Sequence, residues 1–262
     1  METGTVDFSK EGGVARITIS NESRRNAISL RMWEKLRDAL ADANDDRNIQ
    51  VVMLRGAGDK AFSAGADISE FQLVRSTPEQ IATYEGVCMQ VQRALEYLGK
   101  PAIAAIGGIC YGGGLNLAMA CDVRLAADTA AFCVPAAKLG IGYSLDEVLV
   151  LGTKIGRSAV ADLLLSGLPL PAHEALLAGI VQRVWPASSF WERADAYIAA
   201  IAGNAPLSMA AIKRSIATMR TTVSDSERAE IARLVAACDA SADFREGQEA
   251  FREKRRPRFT GR

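Results

Sequence analysis

The sequence predicts an α/β protein that ends in an all-helical stretch. Apolar strand-like runs alternate with helical periods over the first 185 residues, which requires parallel crossovers. From about residue 186 onward only helical patterns occur. Two glycine-containing stretches, AFSAGADI (61–68) and GGICYGGGLNLAMACD (107–122), each follow a strand-like run. The expected organisation is an α/β core over 1–185 and a helical region over 186–262.

The elements follow in order. VARITIS (14–20) alternates apolar and polar residues and reads as a strand. In SLRMWEKLRDALADA (29–43), Leu30, Trp33, Leu36, Leu40 and Ala43 fall near one helical face. QVVMLRG (50–56) is a buried-type strand. TPEQIATYEGVCMQVQRALEYLG (77–99) is a long helix with Thr77 as cap, Pro78 in the first position and Gln80 completing a capping box. PAIAAIGG (101–108) is a short strand, GGGLNLAMA a helix after a tight turn, and CDVRLAAD (121–128) the next strand. Ser144 and Glu147 form a capping box for a helix over 145–154, with Asp146 placed in its first turn to suit the helix dipole. Beyond 186, PASSFWERADAYIAAIAG, PLSMAAIKRSIATMR and SDSERAEIARLVAACDA read as helices. Their apolar faces call for burial against neighbouring subunits.

Composition narrows the function classes. The chain has 262 residues, 49% hydrophobic and 24% charged, with Lys plus Arg equal to Asp plus Glu at 31 each. A formal charge of zero argues against a nucleic-acid footprint, leaving REKRRPR (252–258) as the one basic cluster. The five cysteines include no C-x-x-C pair. The N-terminus METGTVDFSKEGG is polar, and nothing approaches a membrane-spanning run. These features predict a soluble, cytoplasmic protein with reduced thiols and no membrane partner. The cysteines are expected as core or strand fillers, with Cys110 close to the pocket wall. The single histidine, His173, precedes a helix and is expected at the surface, so no histidine metal site is expected.

The run Gly112–Gly113–Gly114 opens a helix with the residue least suited to it. A helix N-terminus offers unpaired N–H donors and about half a positive charge, and glycine leaves them accessible. Close packing of helix on strand explains the same glycines equally well. AFSAGADI supplies a second bare-backbone segment. No G-K-[ST] or G-x-G-x-x-G accompanies either, so a phosphate loop is not expected. Two N–H donors on separate loops suit one oxygen gripped from two sides, an oxyanion hole.

RRNAIS (24–29), AFSAGADI (61–68), AAIGGICYGGGLNLAMACDVRLAA (104–127) and FREKRRPRF (251–259), in this order, resemble the crotonase, or enoyl-CoA hydratase/isomerase, superfamily over nearly the whole chain. The resemblance implies a core of repeated β-β-α units and a C-terminal helical region that builds a homotrimer, often paired into a hexamer. It implies an acyl-CoA substrate and no cofactor apart from the coenzyme A of that substrate. Carried over by position, the N–H donors are Ala66 and Gly113, with Ala64 and Gly112 beside them. Arg25 and Ala27 line the coenzyme A through backbone, and Asp67 and Ile68 flank its channel. Phe251 and Lys254 resemble the C-terminal pair that reaches coenzyme A, often from a neighbouring subunit. The remaining arginines of 252–258 read as a solvated tail. The segment 69–80 is expected to set pocket depth.

The chain departs from the hydratase pattern at both acid–base positions. The family's first glutamate falls on Asn116, and its second, which follows the proline of FCVPA (here Pro135), falls on Ala136. Two carboxylates are what that hydration requires, so decarboxylase- or isomerase-like chemistry is expected. Tyr143, after LGIG, resembles a tyrosine of the methylmalonyl-CoA decarboxylases, although that branch's histidine falls on Ala66. Half-buried packing is the alternative for Tyr143. Three further readings stand beside this one: an atypical hydratase of fatty-acid oxidation, a non-catalytic CoA-thioester-binding protein, and a nucleic-acid-binding member using the basic tail.

Overall fold

The computed structural model describes residues 4–219 and 222–262. The chain begins with β1 (Thr5–Glu11), β2 (Val14–Ser20) and α1 (Leu30–Asp45). β3 (Val51–Gly56), β4 (Ala61–Ser63), α2 (Phe71–Val74) and α3 (Pro78–Glu96) form the next unit. β5 (Ala102–Ile106), β6 (Ile109–Tyr111) and α4 (Gly113–Ala120) repeat the pattern, as do β7 (Val123–Ala127), β8 (Ala131–Cys133) and α5 (Leu145–Ile155). α6 (Arg157–Ser166), β9 (Leu170–Pro171), α7 (Ala172–Leu177) and β10 (Arg183–Trp185) complete the α/β part. α8 (Phe190–Ala202), α9 (Pro206–Ala217), α10 (Asp225–Asp239) and α11 (Ala242–Glu253) follow.

The strands form a six-stranded sheet in the order β1-β2-β3-β5-β7-β10 and a four-stranded sheet in the order β4-β6-β8-β9. Among the described residues only the β1–β2 and β8–β9 pairs are antiparallel. The first unit lays both its strands, β1 and β2, in the larger sheet; the three that follow each lay one strand in each sheet before the helix, which is the β-β-α unit expected. Alternation sorts the larger sheet's two faces. Val52, Leu54, Ala102, Ala104 and Ile106 pack toward α1, α3 and α4. Val51, Met53, Ile103 and Ala105 pack against Phe190, Ala194 and Ile198 of α8. The first helix beyond residue 186 thus covers the sheet's second face.

Three features differ from the sequence expectation. The polar N-terminal segment supplies an edge strand, β1, although its first residues, Met1–Thr3, lie outside the described ones. A short strand, β6, lies between the 101–108 strand and the glycines, where only a turn was expected. β4, β8, β9 and β10 are likewise too short to show a period. The helix expected over 206–220 is described to Ala217, and Arg220 lies outside the described residues. The capping boxes of Thr77 with Gln80 and of Ser144 with Glu147 are both formed.

Among the described residues no helix is long and apolar enough to cross a membrane.

Candidate functional site

Two loops meet in front of α4. The first is clamped by asparagines. Arg25 and Asn26 adopt left-handed φ values of 52° and 57°, a region that asparagine tolerates better than most residues. The Asn26 side chain is buried. Its Oδ1 accepts from Asn21 N, and its Nδ2 donates to the Ala57 and Ala61 carbonyls at 3.0 and 2.8 Å. This fixes residues 25–28 beside 64–67. Ala64 N–H donates to the Arg25 carbonyl at 2.9 Å, Ile28 N–H to Gly65 at 2.8 Å and Asp67 N–H to Ile28 at 3.0 Å. In such a parallel ladder the intervening residue, Ala66, points its own N–H away from its partner strand.

The second loop explains why three glycines stand together. Gly112 has φ 51° and ψ −125°, which side chains rarely adopt. A Cβ on Gly114 would lie 2.6 Å from Ser63 Cβ, so Gly114 serves close packing of α4 on β4. Gly113 meets neither demand. A Cβ there would have room, 3.5 Å from Trp33 Cζ2 and 3.8 Å from the Ala66 nitrogen. That position instead places bare backbone beside Ala66 N–H. Gly113 is the first residue of α4, where N–H groups have no intrahelical partner. Among the described residues, no hydrogen bond leaves the N–H of Ala66 or Gly113. Gly65, at φ 99°, closes the junction: a Cβ on it would lie 3.3 Å from the Gly113 nitrogen.

Asn116 lies one turn into α4, 1% exposed, and its Oδ1 has no hydrogen-bond partner. The buried hydroxyl of Tyr143 also lacks one. Burial raises the Tyr143 phenol well above its ordinary range, Glu147 adds to the rise, and the neighbouring Asn116 amide opposes it. The phenol therefore stays protonated and able to donate. Glu147 is occupied by the cap it forms, accepting from Ser144 N and Oγ at 2.8 and 2.9 Å. Pro135 caps a 3-10 turn that begins at Ala136, and the turn closes at Gly140 with φ 66°. Ala136 packs on the core and brings no acid or base.

Other residues named from sequence fall elsewhere. Asp67 caps the 3-10 turn over 68–70 and is held by Arg24 at 2.9 and 3.0 Å. Burial raises its pKa, but the Ser69 and Arg24 contacts outweigh burial and leave it below the usual value. Ile68 is exposed. Phe251 is 86% exposed and Lys254, at φ 54°, ends α11. No hydrogen bond joins either to the loops around Ala66 and Gly113 among the described residues. His173 is exposed, and Cys110, Cys121 and Cys133 are buried. Sequence reading missed Arg24, the Asn21–Asn26 clamp and Glu70, whose Oε1 accepts from Leu30 N at 2.6 Å at the start of α1. It also placed Trp33 only as a core residue, whereas its ring lies next to Gly113.

The chain matches the family described as enoyl-CoA hydratase/isomerase over residues 9–262. A short-chain-enoyl-CoA hydratase of Clostridium acetobutylicum is 32% identical over 98% of this chain and 97% of its own. A crystal structure of an enoyl-CoA hydratase/carnithine racemase from Magnetospirillum magneticum superposes with a TM-score of 0.92 at 37% identity, covering 98% of this chain and 96% of that one. An enoyl-CoA hydratase of Bacillus anthracis gives a TM-score of 0.90 at 31% identity, with all of both chains covered. With its repeated β-β-α units and its helices from α8 to α11, the chain belongs to the enoyl-CoA hydratase/isomerase family.

Proposed function

We propose that this member of the family forms an enolate from an acyl-CoA thioester, with the thioester oxygen held between the N–H groups of Ala66 and Gly113. The reaction is decarboxylation or double-bond isomerisation rather than two-glutamate hydration. The observation that carries this is the pair of unengaged N–H groups at Ala66 and Gly113, with the buried Asn116 amide one turn along α4, the Tyr143 phenol against that amide, and no other partner for Asn116 Oδ1 or Tyr143 Oη. Such orphaned groups are rare unless a ligand completes them.

Decarboxylation asks least of these side chains. The bond between the α-carbon and the carboxylate breaks, and its electron pair moves onto the thioester oxygen. Carbon dioxide leaves, and a solvent proton later reaches the α-carbon. No base is needed, only a stabilised oxyanion and an oriented carboxylate. Tyr143 and Asn116 supply orientation. Isomerisation passes through a dienolate on the same oxygen, formed when the α-proton is removed, and needs one carrier to take that proton and return it to the γ-carbon. A panel of crotonyl-, methylmalonyl-, ethylmalonyl- and 3-enoyl-CoA followed by mass spectrometry tests the reading. Turnover of a malonyl-type or 3-enoyl thioester is expected, and fast hydration of crotonyl-CoA would overturn it. Tyr143→Phe should lower turnover about tenfold while leaving CoA affinity nearly unchanged.

Coenzyme A is expected along the backbone of Arg25, Ala27 and Ala64. Phe251 and Lys254 would reach it from a neighbouring subunit of a homotrimer or hexamer. Exposed Ile212, Ile216, Met219 and Val235 on and after α9 and on α10 support such burial. Light scattering at micromolar concentration should find a trimer or hexamer, and a monomer would contradict it. CoA thioesters should raise the melting temperature, and Lys254→Ala should weaken that shift more than Arg258→Ala. Equal losses would reduce the tail to diffuse charge.

A further inference from the structure

A line of neighbouring side chains runs from the paired N–H groups to Arg75. The Trp33 ring lies 3.5 Å from the Cβ position of Gly113, and its Nε1–H donates to Tyr84 Oη at 3.2 Å. The Arg75 guanidinium carbon then sits 5.0 Å from the centroid of the Tyr84 ring and 5.1 Å from that of Phe71.

Arg75 is the cation at the end of this line, and its setting is specific. Its side chain is 21% exposed, held against two aromatic faces. Nη2 donates to Glu85 Oε1 at 3.0 Å, and Glu85 itself is half exposed. Among the described residues Nε and Nη1 of Arg75 donate to no acceptor. A guanidinium presents a planar fork that matches a carboxylate. Stacking on aromatic rings fixes the fork before any ligand arrives. The acidic groups nearby are engaged elsewhere: Glu147 by Ser144, Glu70 by Leu30 N and Asp67 by Arg24.

We propose that Arg75 reads the far end of the acyl group, and that the preferred substrates are thioesters whose short acyl chain ends in a carboxylate. This rests on the reading of Ala66 and Gly113 as the acyl-CoA site. Glu85 holds the guanidinium in place from the solvent side and competes with the substrate for it.

The test is calorimetric binding to the full chain of two matched pairs, pentanoyl- against glutaryl-CoA and hexanoyl- against adipyl-CoA. These saturated thioesters carry no double bond to shift and no carboxylate on the α-carbon to lose. At least one dicarboxylic member should bind about tenfold more tightly than its uncharged partner, as a hydrogen-bonded charge warrants. Arg75→Met should bring that ratio to about one, Arg75→Lys should keep part of it, and Glu85→Gln should increase it. Equal affinities in the unmodified protein, or a ratio unchanged in Arg75→Met, would overturn the proposal while leaving the acyl-CoA site standing. Failure of all four thioesters to bind would overturn both.

Discussion

Gly113→Pro should abolish turnover and leave a folded protein. Proline suits the first position of a helix, where its missing N–H costs the helix nothing, and Gly113 holds that position in α4. What is lost is one of the two donors proposed to hold the enolate oxygen. A single donor of such a hole is worth roughly 3 kcal/mol, or a hundredfold to a thousandfold in rate. The pyrrolidine ring also fills the space before Ala66, so the loss should reach the limit of detection. Two alanine variants separate this from a folding defect. A methyl at Gly113 meets Trp33 at 3.5 Å, an ordinary contact, so Gly113→Ala should fold and lose activity by crowding the oxygen. A methyl at Gly114 meets Ser63 Cβ at 2.6 Å, so Gly114→Ala should chiefly lower stability. Circular dichroism melts beside turnover assays check both; an active Gly113→Pro protein would remove the oxyanion reading.

Asn116→Glu combined with Ala136→Glu should raise crotonyl-CoA hydration sharply above that of the unmodified protein. Hydration needs a base to take a proton from water and an acid to return one to carbon. Asn116 does neither at neutral pH, and Ala136 has no polar group at all. Each restored group is worth about a hundredfold or more, so the double variant should exceed either single one by at least that factor. Asn116 is buried, and a new carboxylate there loses hydration, which raises its pKa and suits it to proton transfer near neutrality. Mass spectrometry detects the added water directly. An inactive but folded double variant would mean that the loops do not hold crotonyl-CoA at the position proposed.

The parts of this protein that were legible in its sequence are those set by neighbours in the chain. The caps at Thr77 and Ser144 are local arrangements spanning four residues, and both form as read. The glycine run declared that α4 begins on exposed backbone. Its division of labour was not legible, because Gly112 answers a backbone angle, Gly114 answers Ser63 from a distant strand, and Gly113 answers neither. The three-residue strands AFS, ICY and AFC are too short to show alternation and exist by pairing with one another and, for AFC, with β9. β1 hid behind its charges, which suit an edge strand with one partner. Arg24 with Asp67 joins positions 43 apart, and nothing in either segment alone reveals the contact. Trp33 fits the apolar stripe of α1 so well that its place beside the N–H pair was invisible until the fold brought Gly113 to it.

The most direct measurement is the infrared stretch of an acyl-CoA labelled with carbon-13 at the thioester carbonyl, recorded bound to the protein. Two N–H donors aimed at that oxygen polarise the bond, so the band should move to lower frequency on binding. In Gly113→Pro, at thioester concentrations that still saturate the protein, most of that shift should vanish. A bound thioester whose carbonyl band stays at its solution frequency, or shifts equally in Gly113→Pro, would contradict the assignment of Ala66 and Gly113 as the groups that hold the enolate oxygen.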